Sequence, residues 1–349
     1  MMPNSTIPES TVINPEPILI PASFKDYVAI ARPDNWAKNV FMVPGMLFAF
    51  IVYQVPIDLN LIYRIIIGVA STCLVASANY VINEYLDAEF DKFHPLKKKR
   101  TSVVRVVNPL LVYFEYILLG SVGLGLAYYI SAEFLVISLL LLVMGVIYNV
   151  RPFRSKERVY LDVLSESINN PIRFALGWFI FTPVVALPAN IWDVTWLTFP
   201  PTSIIVAYWM GGAFLMATKR FAEYRLINDP KLAGLYRRSF QFYTENSLLI
   251  SMFFYAITCA FFLGIFLLKN RLELLISFPF FALLFSWYLR IGLLKDSPVQ
   301  GSEKLYTRKY FMTYVVLFCA LLVVLMFVDI PALQWFLKDA AFDTIILLR

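Results

Sequence analysis

The sequence predicts an all-α membrane protein, a polytopic helical bundle of about nine transmembrane helices with a cytoplasmic N-terminus. Two observations carry the fold class. The chain has 349 residues, of which 60% are apolar and only 15% are charged, whereas a soluble domain is about one-quarter charged. The apolar residues also form segments long enough to cross the roughly 30 Å hydrocarbon core of a bilayer.

Nine apolar segments are candidates for these helices. The first and the fourth are short, so they need help from flanking residues or local thinning of the bilayer. The segments cover approximately residues 40–54, 61–86, 109–130, 134–149, 159–184, 202–222, 246–268, 272–294 and 310–330.

Positive charge is distributed unevenly between the two ends of these segments. If the N-terminus is cytoplasmic, the N-terminal region and the loops near 87–108, 150–158, 219–245 and 290–309 hold most of the 30 lysines and arginines. This bias predicts that the N-terminus is inside and the C-terminus outside. It also explains the net charge of +6 without a nucleic-acid partner.

The chain is predicted to form one catalytic transmembrane domain, residues 23–349, after a disordered tail, residues 1–22. The tail is rich in Pro, Ser, Thr and Asn, a composition typical of disorder. Residues 24–38 are amphipathic, and we expect them to lie at the membrane interface with Trp36 and Lys38 as anchors. Three cysteines at unrelated spacings and a single histidine exclude a disulfide framework and a histidine-rich metal site.

The end of the second segment carries the first acidic motif. Asn83, Asp87 and Asp91 are spaced four residues apart, so they share one face of a helix. Carboxylate and amide oxygens suit a hard cation such as Mg²⁺, which would also bind a substrate phosphate. Lysines and an arginine follow directly, in the run from His94 to Arg100. The alternative is that a transmembrane helix simply ends in a solvated charged loop.

A second acidic motif begins the fifth segment. Asp162 and Glu166 are also four residues apart and share a face. Helix capping is an alternative role for Asp162, because acids near a helix N-terminus are stabilised by its partial positive charge. Two acidic faces on the same side of the membrane predict facing carboxylates around one or two Mg²⁺ ions.

Charged residues near the sixth segment and inside two others complete the set. Lys219, Arg220 and Glu223 follow the sixth span at helical spacing. Arg173 lies inside the fifth span, where an unpaired arginine is costly. It therefore pairs with Glu115 of the third span or binds an anionic group of a substrate.

These motifs resemble the UbiA superfamily of intramembrane prenyltransferases, in the pattern Asn83-x₃-Asp87-x₃-Asp91, the later acidic motif at Asp162 and the nine spans. Further sequence motifs resemble its decaprenyl-phosphate phosphoribosyltransferase branch. They are Ala31-Arg32-Pro33-x₂-Trp36-x-Lys38-Asn39, His94-Pro95-x-Lys97-x₂-Arg100, Leu161-Asp162-Val163, Arg173 and Lys219-Arg220-x₂-Glu223. The chain departs from the family pattern at Glu84, where aspartate is usual, at Thr101, where proline is usual, and at Glu166 in the second motif.

The resemblance implies a Mg²⁺-dependent enzyme that transfers a 5-phosphoribosyl group from phosphoribosyl diphosphate to a polyprenyl phosphate such as decaprenyl phosphate. It implies synthesis of lipid-linked sugars for the cell envelope, in a bacterial-type inner membrane with the active site facing the cytoplasm. The metal ligands would be Asn83, Asp87, Asp91, Asp162 and Glu166. The groups that bind substrate phosphates would be Lys38, Lys97, Arg100, Tyr148, Lys156, Arg173, Lys219 and Arg220.

Two other functions remain open from the residues. The same metal site would serve a prenyl diphosphate donor with an aromatic or other small acceptor. A transporter is less favoured, because the carboxylates stand at helix ends, and only Glu115 and Arg173 lie deep in the bilayer, where transporters place ionisable groups.

Overall fold

The computed structural model describes residues 20–181, 199–295, 297–300, 305 and 307–333. This part of the chain is a bundle of α-helices, which confirms the predicted fold class. Seven helical stretches in it are long and apolar enough to cross a membrane, and the predicted count of nine and the N-terminal orientation stay predictions. The seven are Phe24–Tyr53, Leu59–Asp91, Pro109–Ile130, Ala132–Asn149, Glu245–Asn270, Leu272–Gly292 and Lys309–Phe327.

The N-terminal region begins with a two-residue strand. Strand β1 (Ile20–Pro21) pairs in parallel with β2 (Arg105–Val106), and the Ala22 backbone N–H donates to the Val106 carbonyl at 2.9 Å. Residues 20–22, the end of the predicted disordered tail, are therefore ordered, and residues 1–19 lie outside the described part of the chain.

Four helical pieces follow β1. Helix α1 (Phe24–Ile30) is joined through a 3₁₀ helix (Pro33–Met42) to α2 (Val43–Tyr53), so the predicted amphipathic segment and first span form one broken helical stretch. Helix α3 (Leu59–Asp91) starts at an Asp58 cap that accepts from the Leu61 backbone N–H at 2.8 Å. Because α3 extends five residues past the predicted end of its span, it carries the whole first acidic motif.

Helices α4 (Thr101–Val104), α5 (Pro109–Ile130) and α6 (Ala132–Asn149) come next. The predicted fifth span is then divided into α7 (Leu161–Ser167) and α8 (Asn169–Phe181). Every residue from Asn170 to Phe181 is buried. Helix α8 is therefore the central helix of the bundle.

Helix α8 touches the backbone of α2 and of the residue just before α2. A Cβ atom at Gly45 would lie 2.0 Å from the Phe174 carbonyl oxygen, and one at Gly177 would lie 2.0 Å from the Met42 carbonyl oxygen. Neither position has room for a side chain, so the two glycines set the helix spacing.

The α-helices described in the C-terminal half are α9 (Thr202–Ile227), α10 (Pro230–Tyr236), α11 (Glu245–Asn270), α12 (Phe278–Gly292) and α13 (Lys309–Phe327). Helix α9 packs along α11 and against α8. The last turns of α9 carry Lys219, Arg220 and Glu223 toward the ends of α3 and α6. The predicted acidic and basic motifs therefore meet at one end of the bundle.

Candidate active site

The first acidic cluster consists of Asn83, Asp87 and Asp91 on one face of α3. The Asn83 amide donates to Asp87 Oδ2 at 3.2 Å, as the fourfold spacing predicts. Lys156 Nζ donates to Asp87 Oδ1 and to Asn149 Oδ1, the latter at 2.8 Å. Asp87 is thus already paired with a cation.

Asp91 is paired with a different cation. Arg100 NH1 donates to Asp91 Oδ2 at 2.6 Å, and Asp91 is only 2% exposed. Nearby, Lys97 Nζ donates to Glu223 Oε1 at 2.8 Å and to the Tyr236 hydroxyl. The basic run after α3 therefore folds back over the acidic face that precedes it.

The second acidic cluster consists of Asp162, Glu166 and Glu223. Asp162 is fully buried and accepts from the Tyr243 hydroxyl at 2.7 Å and the Ser239 hydroxyl at 3.2 Å. Its carboxylate also lies 3.5 Å from Arg220 Nε. Asp162 therefore does more than stabilise the start of α7, because it also connects α7 to α9 and to the segment after α10.

Arg220 is the centre of this second cluster. Its guanidinium is 1% exposed and donates to Glu166 Oε2 and, at 2.7 Å, to Glu223 Oε2. Glu166 also accepts from the Tyr148 hydroxyl at 2.8 Å. Since Glu223 also accepts from Lys97, an ion pair joins the basic run after α3 to the second acidic cluster.

Lys38 and Arg173 lie deeper in the bundle. Lys38 Nζ stands 5.6 Å from the centre of the Tyr80 ring and within electrostatic range of Lys219 and Arg173. Arg173 Nε donates to Asn39 Oδ1 at 2.9 Å.

The alternative pairing of Arg173 with Glu115 is wrong. Arg173 is satisfied by Asn39 and by the Asn169 carbonyl oxygen, to which NH1 donates at 3.2 Å. Glu115 Oε2 is buried without a hydrogen-bond partner among the described residues. Separate helices carry the two charges, and packing decides whether they meet.

Burial lowers the pKa of two groups in the loops beside the site. It lowers the pKa of Lys156 to about 8, although Asp87 opposes the change. Burial, with help from Lys97, lowers the pKa of His94 to about 3. Neutral His94 Nδ1 accepts the backbone N–H groups of Leu96 at 3.1 Å and Lys97 at 3.2 Å. The only histidine thus supports the basic loop.

The first acidic cluster fits a hard cation. The Lys156 ammonium already lies between a carboxylate oxygen of Asp87 and the amide oxygen of Asn149. These are the oxygen types that Mg²⁺ prefers. A small cavity of about 30 Å³ opens here, lined by Asp87, Phe90, Asp91, Arg154, Lys156, Glu157, Tyr236, Arg237 and Arg238.

The five predicted metal ligands do not come together as one cluster. Among the described residues, no three His, Cys, Asp or Glu side chains are close enough to hold a metal ion. Asp162 and Glu166 are engaged by Arg220 instead of facing Asp87 and Asp91. The predicted ligand set therefore stays a proposal.

Sequence reasoning missed several partners of the predicted residues. Three of them lie in the stretch from the end of α10 to residue 243, whose return to the site depends on tertiary packing and leaves no signal in residue spacing. The other two adjoin predicted residues at the end of α6 and in the following loop. The missed residues are Asn149, Arg154, Tyr236, Ser239 and Tyr243.

The arrangement suits the binding of a polyanion. Cations from four chain segments pair with the carboxylates. If a ligand with phosphate groups bound together with a divalent cation, its phosphates could bind these basic side chains and the divalent cation could bind the carboxylates. The cations are Lys97 and Arg100 after α3, Arg154 and Lys156 after α6, Lys219 and Arg220 of α9, and Arg237 after α10.

Decaprenyl-phosphate phosphoribosyltransferases are among the proteins with similar sequences. The chain is 25% identical over 224 residues to the decaprenyl-phosphate phosphoribosyltransferase of Mycobacterium tuberculosis, covering 63% of this chain and 67% of that protein. It is 25% identical over 224 residues to the enzyme of that name in Mycolicibacterium smegmatis, covering 63% of each chain.

Solved structures share the fold. A UbiA homolog from Archaeoglobus fulgidus bound to GPP and Mg²⁺ superposes with a TM-score of 0.61 at 19% identity, covering 87% of this chain and 100% of that one. A digeranylgeranylglyceryl phosphate synthase structure gives 0.55 at 15% identity, covering 86% and 96%. The model of the UbiA prenyltransferase family matches residues 41–301. The chain belongs to this family of membrane transferases.

Proposed function

We propose that this protein transfers a 5-phosphoribosyl group from phosphoribosyl diphosphate to a polyprenyl phosphate and releases pyrophosphate. The observation that carries the proposal is the excess of basic groups around the acidic clusters. More phosphate must be neutralised on phosphoribosyl diphosphate than on a prenyl diphosphate. Lys38, Lys97, Arg100, Arg154, Lys156, Lys219, Arg220, Arg237 and Arg238 surround Asp87, Asp91, Glu157, Asp162, Glu166 and Glu223.

The mycobacterial relatives support the same substrates, since their name specifies phosphoribosyl transfer to decaprenyl phosphate. At 25% identity they support the reaction class more strongly than the length of the lipid. We therefore propose a polyprenyl phosphate as acceptor and leave its chain length open.

Asn83, Asp87 and Asp91 would hold Mg²⁺, and we propose Asp162 and Glu166 as ligands that complete the site. The bound ion would neutralise diphosphate oxygens as negative charge develops on the leaving group. Mg²⁺ bound in the UbiA homolog from Archaeoglobus fulgidus supports this choice of cation.

The basic residues would bind the donor phosphates by exchanging partners. In the structure Lys156 pairs with Asp87, and Arg100 pairs with Asp91. When the donor binds, these cations would turn to its phosphate oxygens and release the carboxylates for the metal. The basic groups then stabilise the charge that leaves with pyrophosphate.

The chemistry needs no strong general base. The bond from ribose carbon 1 to the diphosphate breaks, and pyrophosphate leaves with the electron pair. An anionic oxygen of the acceptor phosphate forms the new bond to carbon 1, so no proton has to be removed. The buried, neutral His94 agrees with this scheme, because it supports a loop and faces no proton-transfer task.

Lys38, Lys219 and Arg173 would bind the acceptor phosphate or the ribose phosphate deeper in the bundle. The acceptor's polyprenyl tail would then extend between helices or into lipid. The protein is an integral membrane protein, and we propose that it lies in a bacterial-type inner membrane with this end of the bundle in the cytoplasm. The positive charges of the loops support that orientation.

The test is product formation by the purified protein in detergent with Mg²⁺. Radiolabelled phosphoribosyl diphosphate plus a polyprenyl phosphate is compared with geranylgeranyl diphosphate plus an aromatic acid. We expect a labelled lipid from the first pair and a loss of at least about a hundredfold in Asp87→Asn. The matched control is Glu89→Gln, an exposed acid two residues along α3, which should keep full activity.

Product from the second pair alone would overturn phosphoribosyl transfer and favour a prenyltransferase with a small acceptor. Equal losses in Asp87→Asn and Glu89→Gln would remove Asp87 from the site. No product from either pair, with folded protein, would contradict the proposed substrates.

A further inference from the structure

A second groove lies outside the active site, between the end of α12 and the start of α13. Its volume is about 450 Å³. Both helices are candidate membrane spans that end here, so the groove stands at the level of a membrane interface. The residues that line it include Trp287, Arg290, Ile291, Arg308, Lys309 and Phe311.

The groove lies at the same end of the bundle as the active site but is closed off from it. A Cβ atom at Gly292 would lie 2.3 Å from Thr218 Cγ2, so α12 packs tightly on α9 just before Lys219. The Arg225 guanidinium also donates to the Leu293 carbonyl oxygen at 3.1 Å. A molecule in the groove therefore faces the outside of the bundle, away from the acidic clusters.

The floor of the groove is apolar. Ile291 and Phe311 are buried. Trp287 packs edge-on against Phe311, with 5.8 Å between ring centres, and lies 5.5 Å from the Tyr314 ring. Aromatic side chains of this kind are enriched at the level of lipid headgroups.

The rim of the groove is basic. Arg290, Arg308 and Lys309 are exposed, and no carboxylate of the described residues lies within ion-pair distance of them. At the active site, in contrast, the carboxylates are paired with lysine and arginine side chains. Helix α13 also begins without a side-chain cap, which adds the positive end of its dipole.

We propose that this groove binds the headgroup of an anionic glycerophospholipid, with acyl chains lying on Trp287 and Phe311. Basic pockets between transmembrane helices attract such headgroups, and each lysine or arginine adds to the affinity. The acceptor of a transfer reaction has to reach the acidic clusters, whereas this groove is closed toward them. The bound lipid is therefore a structural lipid rather than a substrate.

The experiment measures thermal unfolding of the full-length protein in detergent while phosphatidylglycerol or phosphatidylcholine is added. We expect phosphatidylglycerol alone to raise the Tm of the wild type. In Arg290→Gln/Arg308→Gln, half-maximal stabilisation should need about 30-fold more phosphatidylglycerol. The matched control is Lys98→Gln/Lys231→Gln, which removes two exposed lysines elsewhere and should respond as the wild type does.

A second measurement needs no variant. A photoreactive phosphatidylglycerol should crosslink to residues 287–294 and 307–311 of the wild type. Crosslinks elsewhere would overturn the proposal, as would equal stabilisation by phosphatidylcholine. An unchanged response in Arg290→Gln/Arg308→Gln would do so too. Displacement of the crosslinker by an equimolar polyprenyl phosphate would reassign the groove to the acceptor lipid.

Discussion

Asp87 and Asp162 are both carboxylates at helix ends in one site, but they are held differently. The Asp87 side chain is 16% exposed, lines the small cavity, and is paired with a lysine. The Asp162 side chain is fully buried and fixed by two hydroxyl groups and by Arg220. The first acidic cluster can exchange partners when a substrate arrives, whereas the second is already satisfied by the protein.

This difference assigns separate tasks to two motifs that look alike in sequence. The first would respond to substrate and metal, and the second would hold α7, α9 and the segment after α10 in position. Any ligand role of Asp162 or Glu166 would require Arg220 to release them. The following changes test this division, from the largest expected effect to the smallest.

Arg220→Met should destabilise the protein most. It leaves the buried Glu223 and Asp162 without their shared guanidinium, and breaking a buried ion-pair network costs about 3–5 kcal/mol. The matched control is Arg225→Met on the same helix, where an exposed pair contributes less than about 1 kcal/mol. Thermal unfolding in detergent measures both. Similar Tm values for the two variants would contradict a structural role for the second cluster.

Lys156→Met should affect activity more than stability, because Asp87 remains partly exposed. We expect kcat/KM to fall about a hundredfold. In the wild type, the ammonium with its pKa of about 8 is present below pH 8 and lost above it, so kcat/KM should fall above pH 8. Lys156→Arg stays charged and should lack that alkaline limb. The same limb in both proteins would exclude Lys156 as its cause.

The smallest effect concerns His94, which packs against Tyr236 of α10 with 4.6 Å between ring centres. Its pKa is about 3 in the folded protein and about 6.5 when unfolded. The unfolded state therefore takes up the proton first, and stability falls as pH drops below 6.5. Between pH 7 and 5 the loss should be about 2 kcal/mol.

His94→Asn should lack this loss, which unfolding at the two pH values would measure with a purification tag free of histidine. Because His94 is the only histidine in the chain, no other side chain has an unperturbed pKa between pH 5 and 7. An equal loss of stability in the variant would contradict the assignment.

The sequence was informative where the geometry is local. Helical periodicity is a property of one element, so the fourfold spacing correctly placed Asn83 and Asp87 in contact. The division of the fifth span at Ile168 was missed, although Pro171 signals a break, because a proline within a helix removes a backbone donor. Positions of single elements could therefore be predicted to within a turn or two.

Contacts between elements could not be predicted in this way. The partners of the key carboxylates come from distant chain segments, as the Lys156 ammonium does for Asp87 and the Tyr243 hydroxyl does for Asp162. The Glu115–Arg173 pair was a reasonable expectation from depth alone, but depth does not specify which faces of two helices meet. The sequence therefore predicted which charged residues belong to the site, but it did not predict which of them form ion pairs with one another.

The short pairing of β1 with β2 has a consequence for the loop that carries Arg100. Residues 92–108 connect α3 to α5, and the pairing of Ile20–Pro21 fixes this connection at Arg105–Val106. Tyr27 adds a second attachment, since its hydroxyl accepts the Asn108 backbone N–H at 3.0 Å. A shorter free loop has fewer conformations to lose. The N-terminal residues thereby lower the entropy cost of ordering Lys97 and Arg100 around a ligand.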